Sequence, residues 1–171
     1  MANRLQLEWD LRDHGWADCR IADGAAKATL FVSYCTDGLA DLLSGVGGLY
    51  GATNRLERFF FDSEPMEVRW VLRREGADVA IAIYEFPDVA ISLDLPDSEG
   101  HLAWTATKPL GELAHVVLAT AQQVLKEHGE DGYMTKWIRY PYPVAALQDL
   151  RRLHLQHDQC ELPHDMTLPL A

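Results

Sequence analysis

Cysteine is scarce in this chain, and the little there is excludes two common architectures. The three thiols, Cys19, Cys35 and Cys160, are odd in number and form no CxxC pair, which fits neither a disulfide scaffold nor a zinc ribbon. A reducing, cytoplasmic setting is the expectation. Basic residues are also short: 15 Lys and Arg against 26 Asp and Glu leave a formal net charge of -11 and a sequence pI of about 4.9. Such a surface repels phosphate backbones, whose protein partners bind through clustered Lys and Arg. Nucleic acid is therefore not an expected partner, whereas a basic protein would be steered inward. Long apolar runs are missing as well. No stretch approaches the roughly 18 uninterrupted apolar residues of a membrane span, and residues 1–10 alternate charge and apolarity instead of opening on a signal-peptide core. The expectation is a protein that neither crosses a membrane nor carries a classical export signal.

What the chain does have is ordinary globular material, 48% hydrophobic and 24% charged over 171 residues. That suits a single domain over 1–171, with about 158–171, interrupted by Pro163 and Pro169, as an irregular tail that is either laid on the surface or mobile. Leu5, Leu7, Trp9 and Leu11 alternate with polar residues, the period of a half-buried strand. Trp16 to Ala22 and residues 26–34 flank Asp23-Gly24, a hairpin signal. With Ala22 opposite Ala25, Cys19 would face Ala28 inside the core. Thr36 is placed to cap a helix through Leu39, Leu42, Leu43, Val46 and Tyr50. Gly45, Gly47, Gly48 and Gly51 lack the spacing of a dinucleotide loop and follow a helix, so they read as a fraying helix end or a loop.

Residues 57–62 form a further strand before Glu64-Pro65. Residues 66–74 and 77–86 form the clearest hairpin, with Arg74 opposite Ala77 and Trp70 opposite Ile81. Ile91, Leu93 and Leu95 alternate as another strand, followed by one carrying Leu102, Trp104 and Ala106 inward. Pro109 opens a long helix with an apolar stripe from Leu110 to Leu125, ending at Gly129. Pro143 opens a last helix through Leu147, Leu150 and Leu153. The fold class that follows is α+β: a largely antiparallel sheet of hairpins, one crossover helix, and C-terminal helices packed on one face.

Four groupings carry possible chemistry. His154, His157, Cys160 and His164, with Asp158 and Asp165 nearby, have zinc-ligating donors. Steps of three rotate around a helix and the fourth residue lies beyond Pro163, so the expectation is polar residues at a fraying end, with no metal and no cofactor. Asp10, Asp13, His14 and Asp18 cluster at the first turn, where Asp is common for backbone reasons. Ser33, Ser44, Cys19 and Cys35 sit in no activating motif, so no catalytic residue is assigned. The aromatic segment after Gly132 is the most suggestive. Its rings either pack the last helices onto the sheet or, with neighbouring carboxylates, form a partner-binding patch of Glu130, Asp131, Tyr133, Trp137 and Tyr140.

The segments 14–19 (HGWADC), 32–37 (VSYCTD), 68–72 (VRWVL) and 127–133 (EHGEDGY) resemble a family of small acidic bacterial proteins, chiefly actinobacterial, without an assigned activity. The resemblance runs from about residue 5 to 155. It implies a bacterial cytoplasmic setting and transfers no functional residues. Two functions are then expected. The first is a non-enzymatic protein-binding protein, such as an immunity-type inhibitor of a basic toxin or enzyme. The alternative is a small-ligand binder or enzyme with a pocket between sheet and long helix, lined by Trp70, Trp104 and His115.

Overall fold

A computed structural model describes residues 3–164. Seven strands form two antiparallel sheets. The first contains β1 (Gln6–Leu11), β2 (Trp16–Ala22) and β3 (Lys27–Ser33) in that order. The second contains β4 (Leu56–Ser63), β5 (Met66–Glu75), β6 (Asp78–Phe86) and β7 (His101–Pro109). Helix α1 (Gly38–Gly48) links the sheets, α2 (Val89–Ser92) is a single turn, and α3 (Leu110–Trp137) and α4 (Val144–His157) close the chain. This is the expected α+β class. Helix α3 lies on β1 and β7, α1 on β4, and the three long helices contact one another. One hydrophobic core runs through both sheets and this helical layer.

Both hairpins keep their expected faces but close two residues later in register. Ala22 pairs with Lys27, setting Cys19 against Leu30, because Asp23 Oδ1 accepts from Ala25 and Ala26 N–H and makes a longer Asx-type turn. In the second hairpin Glu75 pairs with Asp78 around Gly76, at φ +66°, which sets Trp70 against Ile83. A slip of two preserves the inward set where a slip of one would invert it.

Three expectations are corrected. Ile91, Leu93 and Leu95 form no strand: Asp88 caps α2, and the three side chains stand exposed. Leu102 does not share the face of Trp104, because a bulge at Ile83/Tyr84 pairs Leu102 with Tyr84 and turns it outward. Thr36 is not the α1 cap; its Oγ1 accepts from Asp62 N–H and pins β4. Gly45, Gly47 and Gly48 fall in the last turn of α1 and Gly51 in the bend that follows, as expected of a helix end. A Cβ on Gly45 would stand 2.5 Å from the Phe59 ring, so glycine there lets α1 sit directly on β4.

The aromatic segment is core. Gly129, at φ 67°, breaks α3, and the helix resumes with Tyr133 and Trp137 on its inner face. Trp137 lies 6.2 Å from Trp9, and Trp9 meets Phe61 edge-on at 5.8 Å, so these rings join helix to both sheets.

Candidate metal centre

The apolar stripe of α4 runs through Leu147 and Leu150 and continues on the same side as Arg151 and His154, all buried. His154 is thus a histidine delivered to the interior by helical periodicity. The helix ends at His157. Asp158 takes extended backbone while its N–H still bonds His154 O at 2.9 Å. Beyond that point, Cys160 and His164 come to lie beside His154 and beside His115, which projects from the second turn of α3. One ligand atom from each of these four side chains falls within 4.8 Å of all the others.

The tautomers follow from the neighbours. His154 Nδ1 lies 2.7 Å from Asp158 Oδ2; a carboxylate accepts, so this nitrogen carries the proton and donates. The same carboxylate oxygen accepts from the Tyr50 hydroxyl. His154 Nε2 is left with its lone pair, buried and without a partner among the described residues, and so is His164 Nε2. His115 Nδ1 stands 3.6 Å from Cys160 Sγ. Burial lowers the pKa of His115, helped by His164, His154 and Arg4. Burial likewise lowers that of His164, helped by His154 and Arg151. Both rings are therefore held neutral, the form that ligates metal.

Tetrahedral zinc with one sulfur and three imidazole nitrogens has S···N edges of about 3.6 Å and N···N edges of about 3.4 Å. The Cys160–His115 separation of 3.6 Å already has that length. A pair at the 4.8 Å limit would need to close by about 1.2–1.4 Å, within reach of side-chain rotation. Asp158 behind His154 is the outer carboxylate that orients a ligating imidazole and raises its basicity. A Cβ on Gly111, in the first turn of α3, would meet Asp158 Cβ at 3.2 Å, so the carboxylate is seated against bare backbone.

The structure therefore brings together three of the four residues of the C-terminal cluster and replaces the fourth. His157 is exposed and stacks on Tyr50, with ring centroids 5.8 Å apart. His115 takes its place, a partner that no local spacing could reveal. Helical rotation does not separate these side chains, because α4 stops at His157, before Cys160.

The other candidate sites disperse. Tyr133 and Trp137 are fully buried and cannot anchor a partner, while Glu130 and Asp131 are exposed and Tyr140 is half-buried. Trp70 stacks on Phe59 at 5.5 Å, Trp104 Nε1 donates to Ala26 O at 3.2 Å, and His115 belongs to the cluster above, so each of the three is engaged with a different set of neighbours. The groove that does lie between β1 and α3, about 340 Å³, is bordered by Trp9, Arg20, Thr120 and Gln123 instead. Asp18 is taken by Arg12 and Arg20, and Asp13 by Lys136 at 3.7 Å. Burial pushes the Cys19 thiol up to about 12, and the Cys35 thiol, raised mainly by its hydrogen bond to Glu64, is no better a nucleophile.

The chain matches no protein-family model and no curated protein. Among the described residues no helix is long and apolar enough to cross a membrane.

Proposed function

We propose that this chain is a metal-binding protein that holds one zinc-class divalent ion on His115 Nδ1, His154 Nε2, Cys160 Sγ and His164 Nε2. The observation that carries the reading is the pairing of convergence with vacancy of partners. Four soft or borderline donors from two helices and the segment after α4 meet within 4.8 Å, and two of their nitrogens are buried with no partner among the described residues. Leaving such atoms unpaired costs about 1–3 kcal/mol each, which a coordinated ion would remove. One thiolate and three imidazoles favour zinc and its borderline neighbours over calcium or magnesium.

Four protein ligands close the coordination shell, so the role is structural. The ion would tie residues 158–164 to α3 and α4, and through Asp158 and Tyr50 to the end of α1. A free thiolate in this set goes with a reducing, cytoplasmic compartment. The inhibitor reading keeps the net charge in its favour but loses Tyr133 and Trp137 as anchors.

The test is zinc titration into metal-free protein by calorimetry. One ion per chain is expected, with affinity reduced at least tenfold in His115→Ala and Cys160→Ser, and little change in His157→Ala. Unaltered affinity in the first two variants would refute the assignment.

A further inference from the structure

Between β6 and β7 the chain leaves the sheet over residues 87–100, and this excursion is built in an unusual way. Ile91, Leu93 and Leu95 are 73%, 50% and 37% exposed. Exposed apolar residues scattered singly need no explanation, but three within five positions do. With Phe59 and Phe60 of β4 and Pro96, Leu93 and Leu95 border a shallow groove of about 540 Å³.

These side chains are not exposed by looseness, because the excursion is clamped from below. Arg69, buried on β5, donates to Ser92 O and Leu95 O at 2.7 Å each, to both carboxylate oxygens of Glu67, and to Asp97. Ser92 Oγ donates to Glu67 Oε1 at 2.7 Å, and the guanidinium lies 4.3 Å over the Phe86 ring. Burying a charged pair carries a desolvation cost that hydrophobic residues would avoid. Here two of the guanidinium's bonds go to the loop's own carbonyls, so the network fixes the shape of a segment that leaves Ile91, Leu93 and Leu95 uncovered. A surface held rigid in advance loses less entropy on binding.

Along the chain, the charge in and beside the segment is of one sign. From Glu75 to Thr107 there are seven carboxylates and no Lys or Arg. Arg58 and Arg69, which also border the groove, are paired with Asp97, which leaves Asp94 in the groove and Glu85, Asp88 and Glu99 along the same stretch of chain. An apolar centre within a charged rim is the anatomy of a protein interface, and a negative rim selects a positive partner.

We propose that residues 87–100 are the docking surface for a basic protein, which seats an apolar contact on Ile91, Leu93 and Leu95. The metal centre plays no part in this contact. The experiment places a photo-crosslinking amino acid at position 91, at 93 or, as control, at exposed Phe31 on β3 in the full chain in its native cells. The captured protein is then identified, purified and titrated against the parent chain and the Ile91→Asp/Leu93→Asp variant. All three altered side chains are exposed, and thermal melts of each variant check that folding is intact. The expected result is one basic protein captured from 91 and 93 but not from 31. Its affinity should fall at least tenfold in the double variant and weaken with added salt. The proposal is overturned if 91 and 93 capture nothing, a second copy of this chain or an acidic protein, or if the double variant binds within twofold of the parent.

Discussion

His154 shows how one side chain can be read only with its neighbours in place. Helical periodicity buries it, Asp158 fixes its proton on Nδ1, and the remaining nitrogen faces Cys160, His115 and His164. Replacing Asp158 with Asn keeps the shape but removes the charge that raises ligand basicity; zinc affinity should drop about 10–100-fold, measured by competition with a chromophoric chelator. Asp41 in the first turn of α1 makes a separate prediction. Burial, reinforced by the nearby Asp37 carboxylate, pushes its pKa up to about 6 from 3.8. Between these values the folded state binds more protons than the unfolded one, so Asp41 makes stability fall as pH rises from about 4 to 6. Asp41→Asn should therefore raise the melting temperature at pH 7.5 and lose that advantage below pH 4; an equal gain at both would contradict the assignment. Cys19, placed inward by the hairpin pairing, is buried even though its partner is Leu30, because a shift of two residues keeps the strand face.

At the scale of elements, the strands of period two and the stripe of α3 were legible because periodicity survives small errors of register. Turn chemistry was less legible: the Asx-type turn at Asp23 and the turn at Gly76 each moved the pairing by two residues. Ile91, Leu93 and Leu95 mimic a strand by alternation, but Asp88 caps a helical turn and Arg69 holds the loop open, an interaction between distant positions. Arg69→Met should destabilise the fold by about 3–5 kcal/mol, because Glu67 is left charged and buried. Adding Glu67→Leu should recover much of the loss in urea melts. Packing also explains Gly45 of α1. Gly45→Ala would drive a methyl group into the Phe59 ring, at a cost of about 1–3 kcal/mol, readable in the same assay.

Over the whole molecule, the C-terminal segment was the hardest part to foresee. The composition of the metal cluster was visible, but its assembly needed α3 to pass alongside α4, and tertiary contacts of that kind leave no mark on local spacing. The remainder of the expected tail, residues 165–171, lies outside the described residues. If one ion joins α3, α4 and residues 158–164, it stabilises the folded state by mass action. At a free concentration 100 times the dissociation constant that is about 2.7 kcal/mol, on the order of 5–10 °C in melting temperature for a chain of this size. The most direct measurement is a cobalt(II) titration of the metal-free protein followed by absorption spectroscopy. Tetrahedral coordination with one thiolate predicts visible ligand-field bands and a sulfur-to-metal charge-transfer band that saturate at one ion per chain, vanish on adding zinc, and lose the charge-transfer band in Cys160→Ser. Weak octahedral-type absorption, or a spectrum unchanged in that variant, would contradict the metal centre.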